Sequence, residues 1–416
     1  MIATARLPDT AWLNAPPLAR VLSLLNSNGE EARVVGGAAR NALMRLPLSD
    51  VDVATTAVPE EVIRRAASGD VKAVPTGIEH GTVTLVVEGQ PFEVTTLRQD
   101  VETFGRKAKV AFGRDWKTDA ERRDFTINAL SISRGGVVYD YVGGLDDIKA
   151  RRVRFIGNPG QRIAEDYLRI LRFFRFQAAY ADGPPDPAGL HACIVARNGL
   201  QALSRERVRA ELMKLLVGPF AVPTLTVMTE TGLMERLLAG VAQLASFANM
   251  VKIEVAVGAP TDPLRRLGAL GVLLVEDAER LRQKLRLFNA EHERLAAMAL
   301  EWWRIAPTLD EKRARALLYR LGPVHYFDRV LLAWARSPHG AGDPAWHALA
   351  TLPSRWTAPQ FPLRSTDFTA RGVARGPALG EAMRHAENAW IAAGFPQAKP
   401  ILAALADDAA RGRRAV

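Results

Sequence analysis

Residues 34–55 read VVGGAARNALMRLPLSDVDVAT, and the fold turns on how that stretch is parsed. The apolar run at 32–35 has the length and β-branched character of a short buried strand. Gly36-Gly37 ends it, and helical spacing takes over from about residue 38 to 45. A strand, a Gly-Gly turn and a helix N-terminus together bring backbone N–H groups close to an anion. Gly37 lies at that approach, and Arg40, one turn into the helix, reaches the same phosphates with a bidentate guanidinium. This is not a dinucleotide fingerprint, because the third glycine of G-x-G-x-x-G is absent, and no Lys-Ser/Thr follows as in a P-loop. About ten residues past Arg40 the stretch 51–55 alternates as a strand, with Asp50 and Asp52 two apart and therefore on one side of it. Paired carboxylates are hard oxygen donors suited to Mg²⁺, which shares such ligands with substrate phosphates.

Working outward, residues 10–28 predict a helix closed by Asn28-Gly29. Segments 82–87 and 91–97 predict a hairpin turning at 88–90. In PFEVTTL, Glu93 takes one strand face while Phe92 and Val94 take the other. Asp50, Asp52 and Glu93 then form a set of three carboxylates from two strands, enough to hold two metal ions. A further strand is expected at 137–141. Beyond about residue 150 the pattern becomes helical almost throughout, at 162–180, 206–216, 277–288, 290–304 and 311–321. Proline and glycine gather at 183–189 and 338–344 as joints. The expected fold is an α+β head with a mixed β-sheet, followed by an all-α remainder.

At 416 residues the chain exceeds one compact core. Its net charge of +10 favours a polyanionic partner. Residues 151–216 hold 12 Arg or Lys against 6 Asp or Glu, so over half the excess sits in about a sixth of the chain. No apolar run is long enough to span a bilayer, and the opening residues carry no signal-peptide core, so a cytoplasmic enzyme is expected. The single cysteine, Cys193, excludes an internal disulfide and any cysteine-based metal cluster. The seven histidines are scattered and none precedes an aspartate, so no His-Asp hydrolase module is expected.

Taken together, GGAARN (36–41), SDVDVAT (49–55), EVTTLR (93–98), RRDFTINAL (122–130), EDYLRILRFFRF (165–176) and SRERVRAELMKLL (204–216) resemble class II tRNA nucleotidyltransferases. These are the bacterial CCA-adding enzymes and their poly(A) polymerase relatives. The tail STDFTARGVARGPALGEAM (365–383) is similar to that of some bacterial members, whereas 220–360 carries little resemblance. The resemblance implies a polymerase-beta-like head at 1–150, a helical neck with a nucleotide-selecting helix at 151–220, a helical body at 221–360 and a tail at 361–416 placed to touch tRNA. It implies addition of C, C and A to a tRNA 3′ end from CTP and ATP, without a nucleic-acid template, by Mg²⁺-dependent two-metal in-line transfer. Asp50, Asp52 and Glu93 would be catalytic, with Asp50 and Asp52 on the metal. Gly37, Arg40, Arg123, Asp124, Asn128, Asp166, Arg169, Arg172 and Arg175 would bind the nucleotide.

Within that set, the i, i+3 spacing of a helix 162–180 places Asp166 beside Arg169. In the family the corresponding pair reads the base. Cytosine and adenine both present an exocyclic amino donor beside an unprotonated ring nitrogen, which a carboxylate and a guanidinium match. Uracil and guanine present the reverse. Arg172 and Arg175, further round the helix, suit phosphates or the RNA end. Asn41 stands where the family usually has Asp. The stretch 101–119 resembles the family's flexible loop, with Phe104 in place of a common acidic residue. Competing readings are a poly(A) polymerase using ATP alone and a non-catalytic RNA-binding protein, the latter predicting loss of a carboxylate from a set that is complete here.

Overall fold

Among the described residues ten strands carry the first part of the chain: β1 (Ala3–Arg6), β2 (Ala32–Val35), β3 (Asp52–Thr55), β4 (Lys72–Gly77), β5 (Thr82–Val87), β6 (Gln90–Thr96), β7 (Arg98–Phe104), β8 (Lys107–Phe112), β9 (Ser131–Ser133) and β10 (Val137–Asp140). Eight form one mixed sheet in the order β1-β10-β9-β2-β3-β6-β5-β4, and β7 with β8 form a separate hairpin. Only β3 and β6 among neighbours run parallel, with Val53 opposite Val94. This computed structural model describes residues 2–48, 50–104 and 107–411, with 99–104 and 107–110 given by backbone alone. The chain divides into two units, Met1–Gly240 and Val241–Val416.

Alternation decides which sheet face is covered. In β5 (TVTLVV) Val83, Leu85 and Val87 are buried while the threonines and Val86 are partly open. The buried set meets Leu18, Val21, Leu22 and Leu25 of α1 (Pro16–Leu25) in one core that also takes Val34, Val53 and Val94. Each such side chain contributes roughly 1.5–3 kcal/mol on burial. α2 (Gly37–Met44) follows β2, and α3 (Pro59–Ser68) follows β3. The predicted helix 10–28 is shorter than expected. Pro16 and Pro17 open α1, a 3₁₀ turn occupies Ala11–Asn14, and α1 stops at Leu25. Asn28 and Gly29, both at positive φ, make the turn into β2. The short edge strands β1 and β4 had no alternation strong enough to be foreseen.

After the hairpin come α4 (Trp116–Glu121), α5 (Gly144–Lys149), α6 (Pro159–Glu165), α7 (Leu168–Tyr180), α8 (Pro187–Val195), α9 (Arg205–Leu216), α10 (Ala221–Glu230) and α11 (Leu233–Leu238). The expected continuous helix 162–180 is broken: Asp166 adopts extended φ/ψ of −156° and 109° between α6 and α7. Phe155 stacks on Phe173 with centroids 5.3 Å apart, and Phe125 packs tilted against Phe155 at 4.8 Å. That cluster fixes α7 against the segment holding Arg123 and Asp124. Of the loop read at 101–119, Gly105 and Arg106 lie outside the described residues, as does residue 412 onward of the basic tail.

The second unit is helical, from α12 (Leu244–Ala256) through α13 (Pro263–Gly271), α14 (Val275–Leu285), α15 (Asn289–Ala299) and α16 (Glu311–Ala335) to Lys399–Arg411. The predicted helix 311–321 runs on past a break at Gly322, where φ is +73° and Pro323 follows. Its interior holds an ionic network rather than apolar groups alone. Arg265 bonds Glu254 and Asp328, Arg266 bonds Glu254, and Arg294 bonds Asp328. Trp302 donates to the Leu273 carbonyl and lies under Arg336, in keeping with a packing role, while Trp303 is exposed.

Candidate active site

The turn between β2 and α2 sets the site. Gly36 has φ +68° and ψ −127°, where a side chain would be strained. A Cβ there would lie 3.5 Å from Arg123 Nη1 and 3.9 Å from Asp52 Oδ2. Glycine therefore lets backbone, guanidinium and carboxylate converge. Asp52 faces Val35 across the β2–β3 ladder, and the parallel β3–β6 register brings it level with Glu93.

Asp52 is half-buried, whereas Asp50 and Glu93 are exposed. Burial first, and then the neighbouring charges of Glu93 and Asp50, push the Asp52 carboxyl up to about 6, with Arg123 acting in the opposite sense. A half-buried carboxylate that its neighbours Glu93 and Asp50 make harder to ionise marks a place short of positive charge. That donor set fits a hard divalent cation. Among the described residues no group of three or more Asp, Glu, His or Cys is gathered closely enough to hold an ion unaided. Two carboxylates completed by phosphate oxygens is the arrangement such a cation accepts.

Beside Gly36 opens a cavity of about 690 Å³, wholly within the first unit. Gly37, Arg40, Arg123, Asp124, Asn128, Asp166, Arg169, Arg172 and Arg175 all line it. Asp50, Asp52 and Glu93 do not, although Asp52 Oδ2 lies beside its Gly36 wall. Eight cationic side chains and two carboxylates line the space, and both carboxylates are already paired. The cavity is therefore built to receive an anion.

The local bonds explain the geometry. Arg40 Nε and Nη2 donate to Asn41 Oδ1 at 3.2 and 2.9 Å, and Nη1 donates to Asn128 Oδ1 at 2.5 Å. Nη2 also donates to the Tyr180 hydroxyl at 2.7 Å. Asp124 accepts from Phe125 N–H at 2.9 Å and Arg172 Nε at 2.6 Å. Arg122 and Arg123 are both held by the buried Asp119, at 2.6 and 3.1 Å. Arg123 Nη1 also donates to the Asn128 carbonyl. Arg175 pairs with Glu211 at 3.0 Å and lies over the Phe176 ring.

The expected side-by-side pair of Asp166 and Arg169 is not formed. Asp166 lies in the break before α7, where Oδ1 accepts from Leu168 N–H at 3.0 Å. Its Oδ2 accepts from Arg207 Nη2 at 2.6 Å. Arg169 pairs instead with Glu165 and donates to the Arg162 carbonyl. Helical spacing cannot govern a residue that has left the helix. Both side chains nonetheless face the cavity separately.

Sequence reasoning missed Arg122, Asp119, Tyr180, Arg207 and Lys214. For α9 the signal was legible: Arg207, Glu211 and Lys214 recur at i, i+4 and i+7 on one face. For Asp119 and Tyr180 no local pattern betrays the partner.

Comparison with known proteins gives independent findings. Residues 32–154 match the Poly A polymerase head domain family, and 186–244 match the family described as the probable RNA and SrmB-binding site of polymerase A. The mitochondrial CCA tRNA nucleotidyltransferase 1 of Danio rerio is 33% identical over 398 residues, covering 92% of this chain and 89% of that protein. The CCA-adding enzyme of Limosilactobacillus fermentum is 32% identical over 381 residues, covering 88% and 90%. The Bacillus stearothermophilus CCA-adding enzyme, solved in complex with CTP, superposes with a TM-score of 0.74 at 27% identity, covering 96% of this chain and 99% of that one.

Proposed function

This chain belongs to the CCA-adding tRNA nucleotidyltransferase family, and from that premise we propose how its site adds C, C and A to a tRNA 3′ end from CTP and ATP. One observation carries the reading. All nine residues expected to hold a nucleotide line one cationic cavity, and that cavity abuts the Asp52 carboxylate at Gly36.

In this reading Arg40, Arg123 and the N-terminus of α2 hold the triphosphate, and the Asp124–Arg172 pair with Asn128 borders the ribose. Asp166 accepts from the exocyclic amino group of cytosine or adenine, and Arg169 donates to the adjacent ring nitrogen. Because the two side chains are anchored separately, by Arg207 and Glu165, each is presented to the base on its own support. A wrong base leaves buried polar groups unpaired at about 1–3 kcal/mol apiece. Selection thus resides in protein side chains.

Enzymes of this kind are metal-dependent, and we assign Mg²⁺ to Asp50 and Asp52, with Glu93 beside them. When bound, that ion supplies the positive charge that favours ionisation of the RNA 3′-hydroxyl and stabilises the leaving pyrophosphate. The chain's own contribution is to aim the α-phosphate. Gly36 permits close backbone approach, Arg123 bridges the carboxylate side and the cavity side, and Asp119 keeps Arg123 in place. Residues 1–150 act as the catalytic head, 151–220 as the neck and 221–360 as a helical body, with the tail at 361–416 placed to touch tRNA.

A tRNA ending before CCA, supplied with CTP alone, ATP alone or both, tests the reading. Two added residues with CTP, a third only when ATP is present, and arrest there are expected. A long A tail from ATP alone would instead make the protein a poly(A) polymerase.

A further inference from the structure

Of the eight cationic side chains that line the cavity, seven are tied down. Arg122 and Arg123 share Asp119, while Arg169, Arg172, Arg175 and Arg207 pair with Glu165, Asp124, Glu211 and Asp166. Arg40 is fixed by the amide oxygens of Asn41 and Asn128 and by the Tyr180 hydroxyl. Lys214 is the exception: among the described residues its ammonium makes no hydrogen bond or ion pair. Glu211, one turn earlier on α9, is the ordinary i, i+3 partner of such a lysine. It is buried and turned to Arg175 at 3.0 Å instead, and Lys214 stays exposed.

The place of Lys214 along the cavity follows from the way α7 and α9 run side by side in one direction. Arg207 meets Asp166 just before α7, and Glu211 meets Arg175 further along. Past the end of α9, Phe220 N–H donates to the Ala178 carbonyl at 2.8 Å. Gly218 permits that approach, since a Cβ there would lie 2.5 Å from the same carbonyl oxygen. Lys214, between Glu211 and Gly218, therefore lines the cavity with Ala179 and Tyr180. Arg40 Nη2 bonds the Tyr180 hydroxyl at this same end. The cavity thus has a direction. Asp166, Arg169 and Arg207 stand at the base-reading end, and Arg40 and Lys214 at the other.

We propose that Lys214 holds the terminal phosphates of the incoming nucleotide. The inference rests on the reading that this cavity takes a nucleoside triphosphate, and it adds the residue at the leaving-group end. Arginines locked to carboxylates present fixed forks, which suit orienting a ligand. A lysine ammonium is a compact point charge with three donors on a flexible stem. Negative charge builds on the pyrophosphate as it departs from the α-phosphate, and an unpaired cation on a flexible stem follows that charge where a tethered guanidinium does not.

The test uses the full chain carrying Lys214→Met or Lys214→Arg. Binding of inorganic triphosphate, CTP and CMP is measured by calorimetry without tRNA, and KM for CTP and for a tRNA lacking CCA by extension. Lys214→Met is expected to weaken triphosphate and CTP binding by about tenfold, the worth of one hydrogen bond between charged groups. CMP, which lacks the terminal phosphates, should bind within about twofold of the parent, and KM for tRNA should change no more than that. Lys214→Arg should restore triphosphate binding to within about threefold, because the charge is kept. Melting temperature and the preference for C and A over U and G should stay as in the parent, since an exposed side chain at the phosphate end supports neither the fold nor the base. Unchanged triphosphate binding in Lys214→Met, or CMP weakened as much as CTP, would overturn the proposal. So would a raised KM for tRNA with triphosphate binding intact, which would set the lysine against an RNA backbone phosphate instead. Triphosphate binding is read without catalysis. A parent protein that binds triphosphate but extends no tRNA would therefore count against the function and leave this comparison intact.

Discussion

Asp52→Asn removes a carboxylate that the fold holds against its own charge. Burial, then Glu93 and Asp50, push this group from an ordinary 3.8 up to about 6, despite Arg123. A carboxyl with a raised folded-state pKa is favoured in its protonated form. Its stabilising share is full below about 3.8 and is lost as the pH rises through about 6, so the ionised group burdens the fold from there upward. At 1.36 kcal/mol per unit, the rise corresponds to about 3 kcal/mol. The side chain is only half-buried, and solvent screening brings the figure to about 1–2 kcal/mol at pH 8. The variant should therefore melt about 2–8 °C higher than the parent at pH 8 in EDTA. The gap should shrink to roughly half at pH 5. Extension of tRNA by the same variant should fall by about a hundredfold or more, since charge stabilisation at the reacting phosphate is lost. Melting curves at the two pH values, with and without Mg²⁺, decide the matter. A variant less stable than the parent at pH 8, or a gap independent of pH, would refute the argument that these carboxylates crowd one another.

Further consequences concern the pairs around the cavity. Arg172→Met strips the partner from Asp124, and should cost about 3 kcal/mol of stability to urea, together with a raised KM for both nucleotides. Asp166→Ala should raise incorporation of UTP and GTP relative to CTP by about 10- to 150-fold in single-nucleotide extension; unchanged selectivity would sink the base-reading role. Arg207→Met should act in the same direction but more weakly, and its effect should largely vanish in an Asp166→Ala background, as a double-mutant cycle can measure. In the second unit, Asp328→Asn leaves Arg265 and Arg294 short of their shared carboxylate. About 3–5 kcal/mol of that unit's stability should be lost to denaturant, with nucleotide binding by the first unit unaffected.

What was legible in the chain were features set by local repetition. The Gly36-Gly37 turn, the strand at 32–35 and the 82–97 hairpin follow from period-two alternation and glycine punctuation, and the structure has them. The gathering of Arg123, Asp124 and Arg172 was readable only as a set of motifs, because their meeting depends on Phe125, Phe155 and Phe173 packing across distant segments. The Asp166–Arg169 geometry was misjudged for a definite reason: helical spacing runs unbroken through 162–180, and nothing local announces that Asp166 leaves the helix to cap Leu168. Asp119 and Tyr180 were invisible, since a buried carboxylate and a terminal tyrosine acquire their partners only through the fold.

The central claim is that side chains of one cavity, with no nucleic-acid template, choose C, C and A. Its most direct test is to sequence the 3′ ends of a tRNA lacking CCA after incubation with the purified protein, Mg²⁺ and all four nucleoside triphosphates at equal concentration. The account predicts ends reading C, C, A and then stopping, with uridine and guanosine rare at every position. Ends bearing runs of A, or bases in proportion to their supply, would contradict it.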